Sequence, residues 1–311
     1  MVCYSSLEEF ELIFLVLSSS LSLISSLSVI TSIIYKRMYQ SFAYKILFYI
    51  SVNDCLRSAA GFLEATHTTD LLCSLAGFII TSTYMSNLLW ATCLSLTLYQ
   101  IIVLEHSDLS KFYHKTWVFM NSFIVGIIFL VPVFTKTYIR TEYSCELSQD
   151  IFGLIWRYGF TYCPSYIMFS INLYFFVKIY RKVRRIGIIS MKAVVFDKGF
   201  IYSIILLIII PPLSAARIAQ LFNDGCQVWF AAFICYLIAT IHGFINAIFF
   251  FCNASVRETL MYERKESYDS APCKSVLQIS FRSILLIEWL GKILIISKVE
   301  FNELPVDCLI F

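Results

Sequence analysis

The chain has 311 residues, of which 59% are hydrophobic, 17% aromatic and only 14% charged, and its mean hydropathy is +0.76. That leaves too little polar surface to coat a water-soluble globule, so lipid is the solvent for most of it. The formal charge of +3 argues against a nucleic-acid partner, because the basic residues sit in short loops between apolar runs instead of forming a polyanion-binding face.

The segment from Met1 to Glu11 holds three acidic residues and no basic stretch, which argues against a cleaved signal peptide and for a signal-anchor in the first apolar run. A bilayer core of roughly 30 Å takes about 20 apolar residues in helix. Seven such runs follow in order: Leu12 to Tyr35, Tyr44 to Ala65, Cys73 to Leu104, Thr116 to Thr135, Ile151 to Ile179, Gly199 to Phe222 and Val228 to Cys252.

Loop charges set the orientation. After the odd-numbered runs come Lys36, Arg37 and Lys45; Lys111 and Lys115; Lys178, Arg181, Lys182, Arg184, Arg185, Lys192 and Lys198; then Arg257, Arg264 and Lys265. The opposite set holds Lys136 and Arg140 against Glu8, Glu9, Glu11, Asp70, Glu142, Glu146, Asp150 and Asp224. Lys and Arg are retained on the cytosolic side during insertion. The expected fold is therefore an all-α membrane protein, a seven-transmembrane helix bundle with an extracellular N-terminus and a cytosolic C-terminus. Residues 1–266 form that domain and 267–311 a cytosolic tail.

In the tail, Val276 to Ile296 is apolar but interrupted by Arg282, Glu288 and Lys292. Centred charges disfavour a span, and a helix lying on the membrane face fits better, with Glu288 and Lys292 one turn apart. Cys308-Leu309-Ile310-Phe311 matches a prenylation pattern at Cys308, although no polybasic run precedes it.

Among eleven cysteines most lie in apolar stretches without ligand-like spacing. Cys73 at the head of the third run and Cys145 in the longest outer loop share an oxidising compartment and a similar depth, so a Cys73 to Cys145 disulfide is expected. Free thiols, or a pairing that includes Cys226, are the alternatives.

Charges inside spans are rare and need partners. Asn53 and Asp54 fall near mid-membrane in the second run, where Asn87, His242 and Asn246 approach from the third and seventh. Such a group binds sodium or a proton, or simply holds helices together by hydrogen bonds. Arg57, Glu64, Arg157 and Arg217 occupy outer halves of the second, fifth and sixth runs. Two guanidiniums facing one cavity would offer forked donors to a phosphate or carboxylate. The plain alternative pairs Arg57 with Glu64 and sends the other two to the interface, or to Glu146 and Asp224. Pro132, Pro164, Pro211 and Pro212 each remove a backbone bond and mark expected bends. The Pro211-Pro212 pair faces the basic helix end from Lys178 to Arg185.

The order of features is similar to that of G-protein-coupled receptors, and resembles the cyclic-AMP-receptor-like (class E) family in particular. Cys73 through Val103 reads CSLAGFIITSTYMSNLLWATCLSLTLYQIIV, with Leu89-Trp90, Cys93-Leu94 and Leu98-Tyr99 in a spacing like the family's. Trp156-Arg157-Tyr158-Gly159-Phe160 with Pro164, then Arg217-Ile218 and His242-Gly243-Phe244, also look like family positions. The resemblance implies that Arg157 and Arg217 match family arginines and that one of them contacts an anionic, cyclic-nucleotide-like ligand. It further implies a heterotrimeric G protein as partner, at basic residues Arg181, Lys182, Arg184 and Arg185. Leu104-Glu105-His106 stands where many receptors carry Asp-Arg-Tyr, and the long Ser-rich tail of the family is missing.

Other classes fit less well. The last run has no Lys for a retinal Schiff base, and no nucleophile, paired intramembrane acids or metal cluster suggests an enzyme, a metal or a cofactor. A small seven-helix transporter or channel is the alternative, although no internal repeat supports it. The reading is a receptor in the plasma membrane for an extracellular small ligand.

Overall fold

A computed structural model describes residues 8–40, 42–66, 69–105, 110–140, 145–186, 212, 214–215, 218–219 and 226–252. In chain order the helices are α1 (Glu8–Tyr35), α2 (Phe42–Thr66) and α3 (Asp70–Ile102), then α4 (Ser110–Phe119), which runs through a π-helical turn, Met120–Ile124, into α5 (Val125–Phe134). A hairpin of β1 (Tyr138–Arg140) and β2 (Cys145–Leu147) comes next. It leads to α6 (Ile151–Leu154), a π-helical segment Ile155–Tyr162 and α7 (Cys163–Ile186); α8 (Cys226–Thr240) and α9 (His242–Cys252) complete the set. The hairpin is the departure from the all-helical expectation among the described residues.

Helices α1 and α3 are each long and apolar enough to cross a bilayer, and α8 with α9 forms a third such stretch, bent by 44°. The protein is thus a helical membrane protein. Large apolar side chains face outward, Ile24 of α1 being 68% exposed and Ile127 of α5 60%, as lipid-facing surfaces require. The expected sixth run, Gly199 to Phe222, falls mostly outside the described residues, as do Val276 to Ile296 and Cys308.

Helix α1 packs against α2 and α9, and α3 against α2, α5 and α7. The buried face of α1 carries four small hydroxyl residues, Ser18, Ser19, Ser22 and Ser26, between Leu15 and Val29, which let backbones approach closely where lipid gives no hydrophobic drive for association. At Gly243 of α9 a Cβ would lie 2.4 Å from the Ser22 hydroxyl oxygen and 2.5 Å from that of Ser26, so only glycine fits that crossing. One apolar cluster joins Ile33, Ile46, Ile50, Trp90, Leu94 and Phe250, with Tyr49 stacked on Trp90 at 4.7 Å between centroids. A second joins Tyr84, Met85 and Leu88 of α3 to Val125 and Phe129 of α5.

Helix starts and ends follow local chemistry. The Thr69 hydroxyl accepts the Leu72 N–H at 3.3 Å to begin α3, and Asp150 accepts the Gly153 N–H at 3.0 Å to begin α6. Left-handed residues follow α1, α3 and α5 at Arg37 (φ 51°), Glu105 (φ 58°) and Lys136 (φ 52°), charged side chains where glycine is usual. Prolines mark expected bends, and the described residues add one that no proline marks. The 44° bend lies at Ile241, between Thr240 and His242, where there is no proline. Pro164 acts upstream instead: it cannot donate to the carbonyl of Phe160, and the backbone widens over Ile155–Tyr162, with the Cys163 N–H reaching the Tyr158 carbonyl.

Candidate functional site

The hairpin forms a roof over the ends of α2, α3 and α8. Its strands pair antiparallel with Tyr138 opposite Leu147 and Arg140 opposite Cys145. A disulfide links Cys145 to Cys73, with Cα atoms 5.2 Å apart, so the third helix and the roof are covalently joined. One turn along α3, a Cβ on Gly77 would stand 2.6 Å from the Tyr138 ring; the missing side chain is what lets the hairpin lie flat. Burial pushes the Tyr138 hydroxyl up to about 12. At the roof's far edge the Ser148 hydroxyl and the Gly153 N–H hold the Asp150 carboxyl below the usual carboxylate range.

Glu64 of α2 ties the roof to the helices. Its Oε1 accepts the backbone N–H of Cys145 at 3.0 Å, and its Oε2 accepts the Tyr236 hydroxyl of α8. The carboxylate is 1% exposed. Bonds of this charged kind are about twice as strong as neutral ones. Glu64 is thereby engaged with the hairpin and α8, which neither the ligand-contact expectation nor the simple Arg57 pairing had specified.

Beneath the roof lies a cavity of about 150 Å³. Arg57, Gly61 and Glu64 line it from α2, Thr81 and Tyr84 from α3, Glu146 and Leu147 from the hairpin, Arg157 and Thr161 from the π segment, and Tyr236 from α8. The two arginines differ. Arg157 donates to the Leu147 carbonyl and lies 3.5 Å from Glu146. Arg57 sits with its guanidinium 5.8 Å from the centre of the Tyr84 ring, a cation–π distance, and its Nη1 is buried with no acceptor. The Tyr84 hydroxyl is likewise buried without a hydrogen bond of normal geometry, and faces Ser165. Arg217 lies outside the described residues.

Deeper in the helices, the five polar residues singled out near mid-span come together. Asp54 Oδ1 accepts from Asn87 at 2.8 Å and faces His242 Nδ1 at 3.1 Å, while Oδ2 accepts from Asn246 at 2.9 Å. Asn53 donates to Ser86 at 2.8 Å and to Asn87 at 3.0 Å. His242 Nδ1 also lies 3.1 Å from the Asn246 amide nitrogen, so the ring sits between the carboxylate and an amide that already donates to Oδ2. Asp54 is 1% exposed and His242 2%. The cluster cross-links α2, α3 and α9 without leaving the carboxylate unpaired. Among the described residues no group of side chains is arranged to hold a metal ion.

At the opposite end from the hairpin, Lys182 of α7 reaches Glu105 beyond α3 at 3.1 Å. Arg181 and Arg185 are exposed on the same helix, and the Arg184 side chain lies outside the described residues. Sequence reasoning missed Tyr84 and Tyr236. The available signal was a phenol inside an apolar run, which wants a partner for its hydroxyl.

No family model matches the chain. It is 27% identical over 173 residues to cyclic AMP receptor-like protein A of Dictyostelium discoideum, covering 53% of this chain and 44% of that protein. It is 25% identical over 141 residues to cyclic AMP receptor-like protein G of the same organism, covering 42% and 27%. The chain thus spans less than half the length of the curated relatives it matches. The chain is thus similar, at distant identity, to two proteins named as cyclic AMP receptor-like.

Proposed function

We propose that the protein is a G-protein-coupled receptor with seven membrane helices, its N-terminus outside the cell and its C-terminal segment in the cytosol. The cavity under the disulfide-held roof carries this reading. It opens among helix ends that the loop charges assign to the outer side, and two arginines line it. The ligand is a small extracellular molecule with an anionic group, of the cyclic-nucleotide kind that the relatives' names suggest. Its binding favours a state in which the basic ends around Arg181, Lys182, Arg184 and Arg185 accept a heterotrimeric G protein. The membrane is the plasma membrane.

Cells expressing the chain are to be screened with cyclic nucleotides and small organic anions for a cytosolic signal, alongside epitope tags at residue 1 and near residue 190. A ligand-dependent signal with the tags on opposite faces supports the reading. Tags on one face, or ligand-dependent flux with no signal, would replace it with the transporter or channel alternative.

A further inference from the structure

We infer that, within this receptor reading and resting on it, the anionic group of the ligand is taken by Arg57 together with the Tyr84 hydroxyl, and that the site accepts one negative charge. The class is an oxyanion of single charge: a phosphodiester, a sulfate monoester or a carboxylate.

The two arginines of the cavity compete for this role, and their surroundings separate them. Arg157 is held by Glu146 and by the Leu147 carbonyl, so an anion there must displace a carboxylate. Arg57 has a buried nitrogen with no acceptor, an arrangement that costs stability unless something fills it. Tyr84 stands beside it, 9% exposed, with its ring under the guanidinium and its hydroxyl also unfilled. Both residues line the cavity and each holds a buried donor without an acceptor, so an oxyanion seated beside them accepts from both once the two side chains turn toward it.

The charge limit follows from what else faces the cavity. Among the described lining residues, Glu64 and Glu146 offset Arg57 and Arg157 in formal charge. Glu64 lies two turns from Arg57 on the same helix, already satisfied by Cys145 and Tyr236. A first negative charge pairs locally with Arg57 and leaves the lining one unit negative. A second meets Glu64 and Glu146 in a poorly solvated space where like charges repel strongly.

The test uses the full chain purified into phosphatidylcholine nanodiscs, with the thermal unfolding midpoint followed against dimethyl phosphate or methyl phosphate at pH 8 and matched ionic strength. Dimethyl phosphate is expected to stabilise at lower concentration than the doubly charged methyl phosphate. Arg57→Gln weakens that effect about 20-fold, as loss of a charged hydrogen-bonding partner does. Tyr84→Phe weakens it about 3-fold. Arg157→Gln changes it less than Arg57→Gln. The assignment is overturned by no stabilisation of the native protein, by equal stabilisation of Arg57→Gln, or by equal affinity for both phosphates. Tyr84→Phe decides the matter if Arg57→Gln does not fold. A native protein that answers dimethyl phosphate in nanodiscs, yet gives no signal in the cell screen, retains this site and sinks the receptor reading. A cell response that Arg57→Gln leaves intact sinks the site and retains the receptor.

Discussion

Glu64 and Cys145 are joined at 3.0 Å by a bond from the hairpin backbone to a carboxylate of α2, and Cys145 is also the residue whose sulfur binds α3. One position of the roof is thus fixed to two helices at once, by a covalent bond and by a charged hydrogen bond.

Replacing Glu64 by Ala leaves a buried N–H and a buried phenol without an acceptor, at a cost of about 1–3 kcal/mol for each. Glu64→Gln costs less, since one oxygen remains. A double-mutant cycle with Tyr236→Phe on unfolding in detergent measures the pair. Additivity within about 0.5 kcal/mol would show that the two residues do not interact.

Loss of either half of the disulfide is expected to cost about 2–4 kcal/mol, with the double serine variant no less stable than either single one. Alkylation of the denatured, unreduced protein checks the bond, because Cys73→Ser and Cys145→Ser each release one thiol that the native chain does not show. A thiol count that falls by one in each variant would remove the covalent joint from the roof.

Asp54→Ala deprives Asn87, Asn246 and His242 of their common acceptor and is expected to destabilise by about 3–5 kcal/mol, the range for breaking a buried ionic group. Asp54→Asn keeps the shape and one acceptor, and loses less. Unfolding midpoints rank the series. An alanine variant as stable as the native protein contradicts the cross-linking role of the cluster.

A methyl at Gly77 has to share space with the Tyr138 ring, 2.6 Å from where it would sit. Gly77→Ala is expected to cost about 1–3 kcal/mol through overpacking, and to speed amide exchange in Tyr138–Arg140. Exchange rates equal to the native ones would mean that the hairpin does not rest on α3 there.

The Asp150 carboxyl titrates below its ordinary value because it receives the Ser148 hydroxyl and the Gly153 N–H. A depressed folded value means that its capping contribution is complete above about pH 4, the ordinary range. That contribution fades as pH falls through the lower folded value. The Gly153 amide signal in nanodiscs should therefore stay constant from neutral pH to about 5 and shift only in stronger acid. A shift already complete at pH 5 contradicts the cap.

The charged residues of the site were legible because a bilayer makes each of them conspicuous. Asp54, Arg57, Glu64 and Arg157 stand out in apolar runs, and the depth of Cys73 and Cys145 suggested their bond. Partner choice was much less legible. Glu64 shares a helix with Arg57, so spacing along the chain favours that pair. Its observed partners stand 81 and 172 residues away, and nothing local ranks distant donors. The bend at Ile241 was hidden for a related reason. It carries no proline, and the glycine beside it is fixed by serines of α1, an element more than two hundred residues earlier in the sequence. The grouping of Asn53, Asp54, Asn87, His242 and Asn246 was easier, since polar side chains at one depth in lipid have few other partners to choose.

The widened turn ahead of Pro164 also decides where Arg157 points. A plain α-helix turns about 100° per residue, so Arg157 and Ser165, eight positions apart, would be splayed by about 80°. A wider turn absorbs one extra residue, which reduces the offset to about 20° and lets one stripe of the helix carry both the roof-binding arginine and the fully buried serine that touches Met85. Deleting a single residue between positions 155 and 162 would undo that alignment. Every side chain above the deletion would rotate by about a quarter turn, while the sequence below stayed unaltered.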